Sequence, residues 1–331
     1  MRPRDFILVF GAVLGAAGPR AAAGACVLAP VADVPLSGGA TRFDYQSFDP
    51  RTNRLYLSHM GDGELVVFDT QLRRVVTSLG GFPTVTGVLV IPELHRVFAS
   101  AAGSHEVVVV DTETWKTLAR LPAGQFPDGL AFAPDAHQVY VSDEGEGKET
   151  VIDVRSNRRV TAIDVGGEAG NTQFDSVSQQ ILVNVQTRNQ LVVIDPKTDA
   201  VVARHALAGG KSPHGLCIAA SARLAFVACE GDSKLLVLDL NTWSVTNVFT
   251  TGQGPDVLAF DAALGRLYVA TESGLVSVFR LEGRTLSSLG EVRAGPDAHS
   301  VCVNPSTHEV FLPLKNVGGH PVLRIMRPAG F

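Results

Sequence analysis

A short strand-like motif returns seven times along the chain at a nearly constant interval. The copies are Leu55-Tyr56-Leu57-Ser58, Val97-Phe98-Ala99-Ser100, Val139-Tyr140-Val141-Ser142, Ile181-Leu182-Val183-Asn184, Ala225-Phe226-Val227-Ala228, Leu267-Tyr268-Val269-Ala270 and Val310-Phe311-Leu312-Pro313. Their second residues are separated by 42, 42, 42, 44, 42 and 43 positions. A repeat of this length marks units too small to bury an apolar face alone, so the units must stack on one another.

One repeat shows what the unit is. After Pro127, Leu130-Ala131-Phe132 forms an apolar run, and Ala133-Pro134-Asp135-Ala136 a turn. Gln138 to Ser142 is a second strand, Asp143 to Gly147 a polar loop, Thr150 to Asp153 a third strand, and Arg159 to Val165 a fourth. Four short runs of β-formers divided by turn residues predict one antiparallel sheet, and no helical periodicity competes. The third strand ends in Asp at Asp69, Asp111, Asp153, Asp195 and Asp239, followed three residues on by Thr114, Ser156, Thr198 and Thr242 in four of them. An Asp there accepts hydrogen bonds from its own turn. Trp115 and Trp243 in the same turns read as local packing.

The expected fold is all-β: a seven-bladed β-propeller of four-stranded antiparallel blades, since twisted sheets of this size close into a ring around a channel. The last repeat, Val301 to Arg327, offers only three strands. The segment Val31 to Leu36 reads as the missing fourth and is expected to close the ring from the amino-terminal side.

Residues 1–25 read as an export signal, with Arg2 and Arg4 before an apolar core and Ala23-Gly24-Ala25 as a small-residue cleavage site. Residues 26–331 are then a single propeller domain, located in the periplasm or secreted, with lipidation at Cys26 as a minor alternative. These 306 residues carry 25 basic and 32 acidic side chains. An acidic balance excludes bulk attraction to nucleic acid or anionic lipid. No further segment is long enough to span a membrane. Cys217 and Cys302 stand at equivalent positions of non-adjacent repeats, and Cys217 and Cys229 are offset within one hairpin by about two residues on this reading, so free thiols are expected. No haem-attachment or paired metal-binding cysteine motif occurs.

The repeat resembles the YVTN-repeat (YncE-like) seven-bladed propeller proteins. The residues that carry the resemblance are Tyr140-Val141 and Tyr268-Val269, the Val-x-Asp third strands, and the openings Pro127-Asp128, Pro213-His214 and Pro255-Asp256. The resemblance implies an exported propeller without an established enzymatic role. Related propellers include lactonases and heavy subunits of periplasmic amine dehydrogenases. One architecture hosts many activities, so function has to come from a site.

Blades place their first strand at the channel. At the start of that strand the seven copies align Asp44, Thr86, Asp128, Gly170, His214, Asp256 and His299. Blades five, six, seven and one are consecutive around the ring, so His214, Asp256, His299 and Asp44 converge on one arc of the funnel. Two imidazoles and two carboxylates suit a divalent metal ion or an acid/base pair. Asp128, Thr86 and Asp297 are expected to face a ligand beside them. The structural alternative is that a Pro-Asp-Gly or Pro-His-Gly opening is a turn into the strand, which Asp128 and Asp256 cap and Gly129 and Gly215 allow to bend.

Loops between second and third strands open on the same face and carry His59, Asp62, Glu64, His105, Glu106, Asp143, Glu144, Glu146, Glu230, Asp232 and Glu272, with Lys148, Lys234, Lys315 and His320. This is an acidic rim with scattered His, either solvated loop or a surface for a cationic partner or metal. His95, His137 and His308 fall in turns on the opposite face. No nucleophile elbow, phosphate loop or zinc-protease helix occurs. The leading expectation is a binding scaffold that holds a small ligand or a periplasmic protein on its funnel face. The alternatives are a metal-dependent lactonase or ester hydrolase and a non-catalytic subunit of a periplasmic redox system.

Overall fold

A computed structural model of the protein describes residues 27–330. The expected export signal and Cys26 lie outside the described residues. Within them the chain forms seven four-stranded antiparallel sheets. Six are simple meanders. Blade 1 runs Gln46–Asp49, Arg54–His59, Glu64–Asp69 and Arg74–Gly80; blade 3 runs Pro127–Ala133, Gln138–Asp143, Lys148–Asp153 and Arg158–Asp164. The others repeat this plan. First strands of consecutive blades pack side by side, and Cys302–Val303 of blade 7 touches both Pro255–Asp261 of blade 6 and Gln46–Asp49 of blade 1, which closes the ring. No helix among the described residues is long and apolar enough to cross a membrane.

Ring closure follows the expected route. Leu28–Pro35 pairs antiparallel with His320–Pro328, from Leu28 opposite Pro328 to Pro35 opposite Val322. Blade 7 thus takes its outermost strand from one end of the chain and three from the other. The Asp33 carboxylate accepts hydrogen bonds from Arg324 Nε at 2.8 Å and Nη2 at 2.5 Å across this seam.

Burial explains the periodic motif. The seven motif side chains, Tyr56, Phe98, Tyr140, Leu182, Phe226, Tyr268 and Phe311, are each 0% exposed. They fill the wedges between blades, where burying a large apolar side chain stabilises by roughly 1.5–3 kcal/mol. Middle strands are covered on both faces and read as continuous apolar runs, such as Leu191-Val192-Val193-Ile194. Outer strands face water on one side and alternate, as in Ala200–Ala206.

The third-strand aspartates are turn formers. Asp111 Oδ1 accepts from the backbone N–H of Glu113 and Thr114, at 3.0 and 2.7 Å, and from the Thr114 hydroxyl. Asp153 does the same with Arg155 and Ser156. Trp115 lies under the Arg54 guanidinium at 5.0 Å, and Trp243 stacks on His205 with ring centroids 4.1 Å apart. Among the described residues Cys217, Cys229 and Cys302 form no disulfide. Cys217 pairs across the sheet with Phe226, three residues from Cys229, one more than the sequence reading expected.

Candidate functional site

Each inner strand of blades 2 to 6 opens with the same irregularity. In blade 3, Pro127 pairs with Asp143 and Leu130 with Val141, so Asp128 and Gly129 together face one partner residue. Blades 2, 4, 5 and 6 repeat the shift after Val85, Ala169, Pro213 and Pro255. A bulge breaks the alternation of side chains and re-aims the extra residue. That residue is Thr86, Asp128, Gly170, His214 or Asp256.

The glycine after the bulge serves the neighbouring blade rather than a bend. A Cβ on Gly215 would lie 1.8 Å from the carbonyl oxygen of Asp256, and one on Gly87 1.9 Å from that of Asp128. Bare backbone at these positions lets adjacent blades close to the spacing that the mouth requires. Side chains from the second strand then hold the bulge in place. The Ser100 hydroxyl donates to the Asp128 carbonyl at 2.7 Å. Asn184 Nδ2 donates to the carbonyls of His214 and Gly215 at 3.0 and 3.1 Å.

The mouth is a cavity of about 450 Å³ whose walls include Asp44, Asp128, Glu144, Glu168, Glu230, Asp256 and Glu272, with Arg42, Tyr45, Gln186 and His214. His214 lies at its centre. Its Nε2 is 3.9 Å from Asp128 Oδ2, 3.8 Å from Glu144 Oε1 and 3.8 Å from Asp256 Oδ1, and its Nδ1 is 3.5 Å from Glu230 Oε1. Tyr45 reaches across the channel from blade 1. Its hydroxyl donates to Asp128 Oδ2 at 3.1 Å and is hydrogen-bonded to His214 Nε2 at 3.2 Å. Deeper in the channel, Tyr45 also walls a second cavity of about 260 Å³ lined mostly by apolar residues such as Val88, Leu130, Leu216 and Val257. The tyrosine ring therefore floors the acidic mouth.

Burial and crowding raise four carboxyls of the mouth. Burial and then the neighbouring carboxylates Asp128 and Asp256 push the Asp44 carboxyl well above its ordinary range. Burial pushes Asp128 up to about 6, with His214 opposing and Asp256 adding. Glu144 is pushed up to about 8, by burial first and then by Asp128. Burial also raises Glu230. For His214, burial favours the neutral ring, but Asp256, Glu230, Glu144 and Asp128 outweigh it and push the imidazole up to about 9. His214 is thus an imidazolium at neutral pH, a cation already resident among carboxylates.

A second cluster occupies the side of the mouth where blades 6, 7 and 1 meet. His299 Nε2 is 4.0 Å from Asp44 Oδ1. One donor atom each from Asp44, Asp256 and His299 lies within 4.8 Å of the others. His299 Nδ1 is hydrogen-bonded to the Asp297 backbone carbonyl at 3.1 Å. The Asp297 carboxylate itself is tied to Lys315 Nζ at 2.6 Å. Arg42 bridges outward, with Nη1 3.1 Å from Glu272 and Nη2 3.9 Å from Asp256 Oδ2.

The ring brings His214, Asp256, His299 and Asp44 to the mouth as the gapless repeat alignment expects, but in two clusters: His299 lies with Asp44 and Asp256, and His214 with Asp256, Glu230, Glu144 and the expected neighbour Asp128. Two residues point elsewhere. Thr86 is 1% exposed and donates its hydroxyl to the Pro127 carbonyl, so it braces blade 2 against blade 3. Asp297 meets His299 but spends its carboxylate on Lys315. Asp256 Oδ1 has no hydrogen-bond partner among the described residues, so it is not a turn cap. Of the rim residues, Glu144, Glu230 and Glu272 turn inward. His59 is instead buried, stacked on Phe43 at 4.0 Å. Tyr45 and Arg42 were not singled out from the sequence. The one available signal is adjacency, since Tyr45 follows Asp44 and Arg42 lies two residues before it.

A family model described as a choice-of-anchor I domain matches residues 46–262. No curated protein sequence matches the chain. Among solved structures, a chain of hydrazine synthase from Kuenenia stuttgartiensis is 15% identical, with a TM-score of 0.75 over 86% of this chain and 95% of that one. A chain from a crystal structure of the mitotic checkpoint complex is 12% identical, with a TM-score of 0.75 over 97% of this chain and 98% of that one. At such identities the likeness is one of fold.

Proposed function

The chain belongs to the choice-of-anchor I domain family, and from that premise we propose that it is a surface-associated or secreted binding scaffold whose acidic channel mouth holds a small cationic ligand. The observation that carries this reading is the ratio of charges in one cavity. Seven carboxyl groups line about 450 Å³, and the cationic side chains among them are Arg42 and His214. Carboxyls packed this closely repel one another, and added positive charge relieves that repulsion. A cation entering the mouth supplies that charge, and the partly desolvated walls strengthen the attraction.

The finer kinship, a YVTN-repeat (YncE-like) propeller, is supported by the Tyr140-Val141 and Tyr268-Val269 strands and by the Pro-Asp and Pro-His openings, whose second residues occupy the bulges. An extracytoplasmic location is supported by the family description and by the signal-like residues 1–25. The funnel face that opens around the mouth also suits a protein partner carrying a basic side chain.

The test is titration calorimetry with 1,4-diaminobutane against succinate, two ligands of equal length and opposite charge. The diamine is expected to bind saturably, more weakly as salt rises, and about tenfold more weakly in a Glu144→Gln/Glu230→Gln variant. Equal binding of succinate, or no binding of the diamine, would overturn the reading.

A further inference from the structure

We propose that Asp44, Asp256 and His299 bind one divalent transition-metal ion of the zinc class at the junction of blades 1, 6 and 7. This rests on the reading of the mouth as a cation site and names the ion that one corner of it selects.

Two buried atoms carry the inference. Among the described residues His299 Nε2 and Asp256 Oδ1 are both without a hydrogen-bond partner, on residues 2% and 5% exposed. Buried polar atoms are nearly always paired, so unpartnered atoms on two residues of one cluster point to a missing partner there. The imidazole is oriented for a metal. With Nδ1–H donating to the Asp297 carbonyl at 3.1 Å, Nε2 presents its lone pair, the arrangement that a metal-bound histidine shows when its other nitrogen is fixed by a carbonyl. That lone pair faces Asp44 Oδ1 at 4.0 Å.

The spacing suits a small ion. Bonds of about 2.0–2.2 Å in a tetrahedral site put donor atoms about 3.4 Å apart. The three donors lie within 4.8 Å of one another, so modest side-chain rotation brings them to that distance. One nitrogen and two carboxylate oxygens favour zinc-class ions over calcium, which takes more oxygen ligands. Arg42 Nη2 lies 3.9 Å from Asp256 Oδ2, and His214 Nε2 lies 3.8 Å from Oδ1, beyond hydrogen-bond distance. His214 is held on the other side by Tyr45, Glu144 and Glu230.

The experiment uses the full chain, stripped with a chelator and titrated with zinc, manganese and calcium chlorides in separate runs. One zinc per chain is expected, with calcium at least about a hundredfold weaker. His299→Ala and the isosteric Asp44→Asn should each weaken zinc at least about tenfold, whereas His320→Gln, at an exposed surface histidine, should change nothing. Circular dichroism confirms that each variant is folded, and 1,4-diaminobutane is titrated into the same samples. Diamine binding without zinc binding overturns the metal site and leaves the cationic mouth standing; loss of both overturns both. Zinc binding that persists unchanged in folded His299→Ala and Asp44→Asn, or calcium binding as tight as zinc, also overturns the assignment.

Discussion

The Tyr45 hydroxyl and His214 Nε2 meet at 3.2 Å across the channel, joining blade 1 to blade 5. The same hydroxyl donates to Asp128 in blade 3. One side chain thus ties three blades together and walls both the acidic mouth and the second cavity. Tyr45→Phe keeps the ring and removes both bonds. It is expected to cost about 1–2 kcal/mol, measured by urea unfolding, because His214 and Asp128 each lose a buried partner.

Gly215 sets where Asp256 sits. A methyl group there would collide with the Asp256 carbonyl, which is backbone and cannot swing aside. Gly215→Ala should destabilise by about 3 kcal/mol and weaken cation binding together. Gly80→Ala, where an added Cβ meets nothing within 4 Å, should stay within about 0.5 kcal/mol of wild type. Paired denaturation curves check both.

Blade number, strand order and the amino-terminal closing strand were legible because each rests on a repeated buried position. Residues 56 to 311 recur at one interval because each fills the same wedge between sheets. The convergence of His214, Asp256, His299 and Asp44 was legible for the same reason, as one aligned position seen seven times, which is a bulge in blades 2 to 6. What the period does not encode is direction within a loop and contact across the channel. Glu144 and Glu230 sit in rim loops like those of Glu106 and Asp232, yet only the first two turn onto His214. Thr86 shares the bulge position but finds a carbonyl on blade 3 within reach of its short side chain. Tyr45 bridges residues 83 and 169 positions away, a contact that depends on ring diameter rather than on neighbours in sequence.

Glu149 breaks the apolar pattern of the third strands. It pairs with Ser142 as Leu65 pairs with Ser58 and Val107 with Ser100. It is fully buried, and neither oxygen has a hydrogen-bond partner among the described residues. Burial, with the Asp143 charge adding, raises its pKa well above 4.5. A raised carboxyl binds its proton more tightly folded than unfolded. Its contribution is fully present below about pH 4.5 and declines as pH rises toward the folded value. Glu149→Leu should therefore stabilise by about 1–3 kcal/mol at pH 7 and by less at pH 4, read from thermal midpoints at the two pH values.

The closing seam has the opposite sign. Arg324 holds the Asp33 carboxyl below its ordinary value, with burial opposing. A depressed carboxyl stabilises above its unfolded pKa, near 3.8, and the contribution disappears as pH falls through the folded value. Asp33→Asn should lower the thermal midpoint at pH 7 and leave it unchanged near pH 2, as differential scanning calorimetry would show.

The central claim is that the mouth exchanges protons for a cation. With Glu144 pushed up to about 8, the mouth is partly protonated at pH 7. A bound diamine lowers the carboxyl pKa values and expels protons. The most direct measurement is calorimetry of 1,4-diaminobutane binding at pH 7 in buffers of different ionisation enthalpy. The predicted result is an observed enthalpy that changes linearly with that of the buffer, with the sign of proton release. Proton uptake, or the same enthalpy in every buffer, would contradict it.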